Sequence, residues 1–315
     1  MSAGIKQGVV VSKARSATVV APTARVAQQP KPSSSAIKLG NTRVTGKEQF
    51  YTPATTADEI FATLDGLVPD MSSLTLLEPA GGTGSIIDAA TRHGFANVLS
   101  FDIEPHHERV QRGNFLEQTI SERQLLTVSN PPFGRNNSLA IPFFNHAATV
   151  SDYIVFIVPR SWRKWSVQNK LDRNFHLIKD EDLNVNYVDR AGHEAHGRNR
   201  LRTCIQYWRR ADSLRPVISV QDMGLIEKCG PEEADAALTI FGYGCGTITT
   251  EFPRIKNTTS MFLKLKHPDA LAAAKKANFG KYFMNTAYTE ALSWPEINAA
   301  LNEQLFGDPK IIQTY

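Results

Sequence analysis

Short apolar runs in the first half of the chain alternate with segments of helical periodicity, and this alternation is the feature that most limits the possible folds. The runs cover residues 74–78, 97–101, 125–129 and 153–158. Strands that alternate with helices predict a mostly parallel, doubly wound α/β sheet with helices on both faces. Open sheets of this kind bind their ligands where the strands end. The residues that follow each run are therefore the first candidates for a functional site.

An antiparallel pair of strands is predicted at one edge of the sheet. Residues 184–189 and 202–208 alternate β-favouring and polar side chains, as half-buried strands do. Residues 210–265 are less regular and predict a small accessory element. Ser293, with Glu296 three positions later, predicts a capping box at the start of a C-terminal helix. We therefore expect a catalytic domain over residues 48–210 and an accessory region with terminal helices over residues 211–315.

The first 47 residues form a basic segment without acidic side chains. They carry eight Lys and Arg residues, whereas the rest of the chain carries 27 basic and 31 acidic residues. Their composition predicts a disordered arm, because such a segment buries too little apolar surface to offset the entropy of ordering. A contact with nucleic acid and an organelle-targeting function are both open for this arm.

Two sequence features narrow the class of protein. No run approaches the roughly 18–20 consecutive apolar residues that a membrane span requires, so we expect no membrane association. The three cysteines form no C-x-x-C pair, which argues against a disulfide framework and against a cysteine-based zinc site. We expect a cytoplasmic or other reducing compartment, with organelle targeting by the basic arm as the alternative.

A glycine-rich turn follows the first apolar run. Its residues are Glu78, Pro79, Ala80, Gly81, Gly82, Thr83 and Gly84. Glycines let the backbone approach a ligand, and the N terminus of the next helix offers free N–H donors. Asp102 lies twenty residues after Gly82 at the end of the second run, followed by Ile103, and its carboxylate is suited to accept the two hydroxyls of a ribose. The turn departs from G-x-G-x-x-G, which disfavours a dinucleotide.

A second motif, Asn130-Pro131-Pro132-Phe133, ends the third run. Two consecutive prolines fix φ near −65° and remove two N–H donors, so that the carbonyl groups at the strand end face outward. The side-chain oxygen of Asn130 and the carbonyl of Pro131 can accept both hydrogens of an NH₂ group. Phe133 can stack on the ring that carries this group. The motif therefore predicts a site for an aromatic amine.

Together these segments resemble the adenine-N6 methyltransferases. The resemblance rests, in chain order, on F-Y-T-P (50–53), E-P-A-G-G-T-G (78–84), F-D-I-E (101–104), N-F (114–115) and N-P-P-F (130–133). This order is similar to the gamma arrangement of the DNA enzymes, and N-P-P-F-G-x-x-N is also similar to enzymes that modify ribosomal RNA. The resemblance covers about residues 48–210.

The resemblance implies a Rossmann-like class I methyltransferase fold with an antiparallel edge strand. It implies that S-adenosylmethionine is bound by the glycine-rich turn with Asp102 and Ile103, and by Tyr51, Thr52, Asn114 and Phe115. The target adenine, in DNA rather than RNA, is implied to lie at Asn130–Phe133 after rotating out of its stack. Asn114 stands where the family usually has Asp. Read alone, Tyr51 and Thr52 are equally compatible with an ordinary helix entry.

Several basic, aromatic and polar residues are candidate contacts for nucleic acid. They are Arg135, Asn136, Arg160, Trp162, Arg163, Lys164, Arg198 and Arg200. Such residues neutralise phosphates and stack on unpaired bases. A solvated helix start with its tryptophans packed inward is the alternative for residues 160–165. No metal is expected, because His193 and His196 do not form an H-E-x-x-H motif.

Two other functions compete with adenine methylation. A protein-glutamine methyltransferase uses a related N-P-P motif on an amide nitrogen, but its fourth residue is typically Tyr, so Phe133 favours adenine. A nucleic-acid-binding module with an inactive methyltransferase fold is the other alternative, and the intact motif weighs against it.

Overall fold

The structure of the protein, a computed structural model, describes residues 1, 50–185, 187 and 201–315. Apart from Met1, the predicted basic arm lies outside the described residues, as do Arg198, Arg200, His193 and His196. The helices are α1 (Ala54–Asp65), α2 (Ser85–Arg92), α3 (Ala140–Ala147), α4 (Trp165–Gln168), α5 (Ala270–Lys276), α6 (Gly280–Phe283) and α7 (Trp294–Phe306). The strands are β1 (Leu76–Glu78), β2 (Val98–Asp102), β3 (Gln111–Arg112), β4 (Leu125–Ser129), β5 (Ser151–Pro159), β6 (Phe175–Leu183), β7 (Thr203–Arg210), β8 (Val217–Val220), β9 (Ile226–Lys228), β10 (Ala236–Phe241), β11 (Ile248–Thr249), β12 (Thr259–Leu265) and β13 (Ile311–Thr314).

Strands β1 to β7 form one sheet in the order β3-β2-β1-β4-β5-β7-β6. The first five are parallel, and β7 runs antiparallel to both of its neighbours, β5 and β6. This order and these directions are those of the class I methyltransferase fold, and the predicted α/β class is confirmed.

The antiparallel pair at the sheet edge is present, but one of its predicted strands is wrong. β7 falls where it was expected, whereas its partner β6 lies upstream of residues 184–189. Asn184, Val185 and Tyr187, the described residues of that run, are outside the strands. β6 was missed because its second half, Lys179–Asp182, is charged, and an edge strand is half solvated and tolerates such residues.

Successive residues of β5 point to opposite faces of the sheet, and both faces are covered. Val155 and Ile157 pack into a cluster with α1 and α2. Ile154, Phe156 and Val158 pack into a second cluster with α3 and Trp162. This two-residue period explains why the run is apolar throughout, since a strand buried on both faces has no solvent-facing position.

Residues 211–315 add a four-stranded sheet, in the order β11-β10-β12-β9, and the two-stranded sheet of β8 and β13. Helices α5 and α7 contribute to a third buried cluster with the strands of the larger sheet. The predicted capping box is confirmed, because the Ser293 N–H donates to Glu296 Oε2 over 2.8 Å at the start of α7. No described helix has both the length and the apolar character needed to cross a membrane.

Candidate active site

The carboxyl ends of three neighbouring strands carry the main predicted site residues. Glu78 ends β1, Asp102 ends β2, and Asn130 directly follows β4. These strands are adjacent and parallel, so the three residues lie together at the carboxyl end of the sheet. A buried hydrogen bond joins two of the strand ends, because Ser129 Oγ donates to Glu78 Oε1 over 2.6 Å.

The segment that precedes α1 bridges the glycine-rich turn and the end of β4. Asn130 Nδ2 donates to the carbonyl oxygen of Phe50 over 2.7 Å and to Thr52 Oγ1 over 3.2 Å. The ring of Tyr51, between these two residues, lies so close to Gly82 that a Cβ atom there would be 2.9 Å from Tyr51 Cε1. The same position would be 3.9 Å from Asp102 Oδ2. One short segment therefore contacts both the glycine-rich turn and the N-P-P-F motif.

The hydrogen bonds of Asn130 determine which way its amide faces. The carbonyl oxygen of Phe50 can only accept, so the atom of Asn130 that contacts it is the NH₂ nitrogen. The amide oxygen Oδ1 is then on the opposite side of the group. No donor to Oδ1 is present within the described ranges. The amide oxygen is therefore the part of the Asn130 side chain that is left to accept a hydrogen bond.

Phe133 is largely covered by another aromatic ring. Its side chain is 6% exposed, and Phe50 stacks on it with ring centroids 6.3 Å apart and an interplanar angle of 26°. Phe50 also contacts the ring of Tyr187 at 5.9 Å. A base that stacks on this face of Phe133 must therefore displace Phe50.

The glycine-rich turn is tied to Asp102. Asp102 Oδ2 accepts from the Gly82 N–H over 2.9 Å, and Oδ1 accepts from the Glu104 N–H over 2.8 Å. Gly82 and Gly84 have φ of 47° and 82°, which favours glycine at both positions. Each carboxylate oxygen of Asp102 keeps a second lone pair for a ligand hydroxyl. Ile103, next along the chain, is 66% exposed and offers an apolar surface beside the turn.

Glu78 is a buried carboxyl group with one unused oxygen. Its side chain is 1% exposed, and burial raises its pKa from 4.5 to about 8. Oε1 accepts from Ser129 Oγ and from the Ala80 N–H, whereas Oε2 has no hydrogen-bond partner among the described residues. An unpaired buried polar atom requires an explanation, and a polar or cationic group of a ligand beside the glycine turn would provide one. S-adenosylmethionine fits this arrangement, since it combines two cationic centres with a ribose.

Asn114 and Phe115 are engaged within the protein. Asn114 Oδ1 accepts from the Leu116 N–H over 3.2 Å, and Nδ2 donates to Glu117 Oε1 over 2.8 Å. Phe115 is 1% exposed and packs against Phe101, Phe143 and His146. In this conformation the first residue caps a local turn and the second fills the core.

The basic cluster after β5 is neutralised inside the protein. Arg163 pairs with Asp180 and, over 2.7 Å, with Asp182, and Arg160 pairs with Asp182 over 2.9 Å. Lys164 Nζ lies 2.6 Å from Glu296 Oε2.

Trp162 is 0% exposed and packs against Phe144 and Phe156, so its assignment as a base-stacking residue is wrong. The inward-packed alternative describes Trp162, which belongs to the buried cluster of α3 and β5. Arg135 and Asn136 remain exposed beside Phe133, and Arg135 has no ion-pair partner among the described residues.

Replacing Lys164 by Met is expected to destabilise the protein by about 3 kcal/mol, because Glu296 would keep a buried charge without its cation. The side chains of Lys164 and Glu296 are 15% and 3% exposed. Lys281→Met is the matched control, since Lys281 and Glu303 form an exposed pair of 47% and 41% and should contribute less than about 1 kcal/mol. Urea unfolding of both variants measures the difference. Equal effects would contradict a structural role for Lys164.

Two contributions to the site, the Phe50 carbonyl and Ser129, were not predicted from the sequence. His106 and His107, which follow the second apolar run, also contact the glycine-rich turn. The His106 N–H donates to the Gly82 carbonyl over 3.0 Å, and the ring of His107 packs against Gly84. Of these residues, Ser129 is the one that the sequence could have revealed, because a hydroxyl at the buried end of an apolar strand needs a polar partner.

Among the described residues, no group of three or more His, Cys, Asp or Glu side chains is arranged to hold a metal ion.

Comparisons with known proteins give structural similarity only. No known protein-family profile matches the chain, and no curated protein sequence matches it significantly. A candidate RNA methyltransferase from Pyrococcus horikoshii is 17% identical, with 52% of this chain and 88% of that chain covered and a TM-score of 0.43. The M protein of the type I restriction enzyme EcoKI is 14% identical, with 52% and 44% covered and a TM-score of 0.40. TrmN from Thermus thermophilus is 13% identical, with 51% and 49% covered and a TM-score of 0.37.

The aligned part of this chain therefore spans less than half of the EcoKI M protein and of TrmN. At these identities and TM-scores, the similarities establish neither a family nor a substrate for this chain.

Proposed function

We propose that the protein transfers a methyl group from S-adenosylmethionine to the N6 amine of adenine in a nucleic acid. The observation that carries this proposal is the orientation of Asn130. Its amide nitrogen is held by Phe50 and Thr52, so its oxygen is presented as an acceptor at the strand edge that also carries Glu78 and Asp102. A fixed acceptor at this place suits an amine that must donate hydrogen bonds.

The cofactor is proposed to bind along the ends of β1 and β2. Asp102 would accept the ribose hydroxyls, Ile103 would pack on the adenine ring, and the tight turn that Gly82 and Gly84 permit would lie against the ligand. Glu78 Oε2, buried and unpaired, would contact a cationic group of the ligand. Bound there, S-adenosylmethionine supplies a methyl group on a positively charged sulfur, so the carbon is already electrophilic.

Asn130 and Pro131 are proposed to prepare the attacking nitrogen. When Asn130 Oδ1 and the Pro131 carbonyl accept the two N6 hydrogens, the nitrogen lone pair is drawn out of conjugation with the ring. The methyl group that the bound cofactor supplies would be transferred to this nitrogen, with the thioether form of the cofactor as the leaving group and one N6 proton lost to solvent. Phe133 would hold the base by stacking after Phe50 moves aside. Positioning supplies the catalysis, because both reactants are held at one edge.

The substrate is proposed to be an unpaired or flipped adenine, because N6 of a paired, stacked base is out of reach of a cleft. DNA is favoured over RNA by the resemblance of the motif order alone. Residues 211–315 are proposed to form an accessory region of the catalytic domain. Arg135 and Asn136, exposed beside the motif, are proposed to contact the backbone of the substrate.

The test is transfer of a labelled methyl group to single- and double-stranded DNA and RNA, followed by digestion to nucleosides. The expected product is N6-methyladenosine or its deoxy form. Label in a different nucleoside, or in glutamine of an added protein mixture, would assign a different acceptor. Binding of S-adenosylmethionine without transfer to any acceptor would support an inactive module instead.

A further inference from the structure

Two loops at one end of the C-terminal four-stranded sheet expose aromatic and basic side chains. The first joins β10 to β11, and the second joins β11 to β12. Tyr243, in the first loop, is 91% exposed, and Phe252, in the second, is 38% exposed. Arg254 and Lys256 follow Phe252 and are also exposed. We call these four residues the tyrosine surface.

The two basic residues of the tyrosine surface are not neutralised within the described part of the chain. Neither Arg254 nor Lys256 forms an ion pair there, in contrast to the paired cluster after β5. Lys264 and Lys266, at the other end of β12, also have acidic partners, Asp235 and Glu227. Glu251 is the acidic residue on the same two loops. The unpaired positive charge therefore lies on the same loop as Phe252.

The tyrosine surface is held in place by its backbone. A Cβ atom on Gly242 would lie 2.4 Å from the carbonyl oxygen of Asn257, so the two loops touch directly at this glycine. The Gly242 N–H donates to the Glu290 carbonyl over 3.1 Å, and Phe241 forms a β-bridge with Ala291. Tyr243 thus projects from an anchored loop.

The contact at Glu290, which anchors the first loop, also connects the tyrosine surface to the end of the sheet where Asn130 follows β4. The Glu290 carboxylate pairs with Arg202 over 2.5 Å, and the Arg202 carbonyl accepts from the Arg160 N–H over 3.1 Å. Arg202 directly precedes β7, and Arg160 directly follows β5, the neighbour of β4. At about 4.8 Å between strands, β7 lies about 10 Å from β4. The Glu290 anchor of the tyrosine surface therefore lies at the end of the sheet where the methyl acceptor is proposed to bind.

We propose that the tyrosine surface binds a single-stranded stretch of the nucleic acid that carries the target adenine, an inference that rests on the proposed function. A solvent-exposed ring on a loop can stack on an unpaired base, whereas both faces of a paired base inside a duplex are already covered. Stacking of this kind is independent of sequence, and Arg254 and Lys256 supply the cations that phosphates require. The charge and the rings together favour nucleic acid over a second copy of the chain.

The test is binding of the full chain to fluorescent single-stranded DNA and RNA of mixed sequence, followed by anisotropy. Tyr243→Ala is expected to weaken binding about 5- to 100-fold, and Tyr243→Phe to preserve it, because the ring alone stacks. The double change Arg254→Ala with Lys256→Ala is expected to reduce the slope of log affinity against log salt by about 1.4. Tyr315→Ala and Lys170→Ala are matched exposed controls and should bind as the parent protein does.

Three results would overturn this inference: no binding by the parent protein, parental binding by Tyr243→Ala, or a change in oligomeric state on Tyr243→Ala in place of a change in binding. Methyl transfer distinguishes it from the proposed function. If Tyr243→Ala binds nucleic acid and methylates adenine as the parent does, the tyrosine surface is not a binding site, whereas the proposed function is supported. If Tyr243 controls binding but the parent methylates no adenine, the surface stands and the function fails.

Discussion

Asn130→Ala is expected to lower the turnover of adenine methylation by about 10²–10³-fold, the usual loss when one pre-positioned hydrogen-bonding group is removed from an active site. Affinity for S-adenosylmethionine should stay at the parental level, because the cofactor is proposed to bind at β1 and β2. Steady-state kinetics and isothermal titration calorimetry measure the two quantities separately. If Asn130→Ala also lost affinity for S-adenosylmethionine, Asn130 would belong to the cofactor site and not to the site of the methyl acceptor.

The orientation of Asn130 can be tested apart from its presence. Asn130→Asp keeps an acceptor but cannot donate to the Phe50 carbonyl, so two oxygens would face each other and the side chain would turn away. We expect Asn130→Asp to be as inactive as Asn130→Ala. Asn97→Ala, an exposed asparagine before β2 at the opposite end of the sheet, is the control and should keep full turnover. Full activity in Asn130→Ala would contradict the proposed role.

The second large effect is expected from Glu78. Its folded-state pKa is about 8, above its unfolded value of 4.5, so the folded protein binds a proton more tightly than the unfolded chain does. The corresponding stability is present below pH 4.5 and is lost as the pH rises through about 8. A shift of this size corresponds to a loss of up to about 5 kcal/mol. Glu78→Gln, which is neutral at every pH, should remove this loss.

Chemical denaturation between pH 5 and pH 9 measures the effect as the difference between parent and Glu78→Gln. The difference cancels the other groups that titrate in this range. Ser129→Ala gives a second readout, because the Ser129 hydroxyl donates to Glu78 Oε1 and lowers the pKa. Its loss should raise the pKa of Glu78 and move the transition to higher pH. If the free energy of unfolding changes with pH in the same way in the parent and in Glu78→Gln, Glu78 does not titrate in this range.

The same protonation should couple to the cofactor. S-adenosylmethionine is cationic, and a cation brought to the unpaired Oε2 favours the ionised carboxylate and lowers its pKa. Binding near neutral pH should therefore release a proton from Glu78. Calorimetry in two buffers with different heats of ionisation counts this proton, and Glu78→Gln should bind without releasing it.

The sequence determined where the motifs lie and which elements carry them. Periodicity over a few residues located α1, β4, β5 and β7, because burial on one or two faces leaves a repeating pattern in the chain. The glycine-rich turn and the N-P-P-F motif could be placed at strand ends for the same reason. Parallel strands then bring Glu78, Asp102 and Asn130 to one edge, which is a consequence of topology that the sequence already implied.

Only the tertiary structure decided which polar and aromatic side chains are paired with, or buried by, other parts of the chain. The sequence made Lys164 a candidate phosphate contact, but in the structure it pairs with Glu296, 132 positions away. Trp162 and Phe115 proved to be core residues, and Tyr243 proved to be the exposed ring, although nothing in their local sequence distinguishes them. The physical reason is that pairing and burial depend on distant residues brought together by folding, whereas local patterns report only the conformation and sidedness of the backbone.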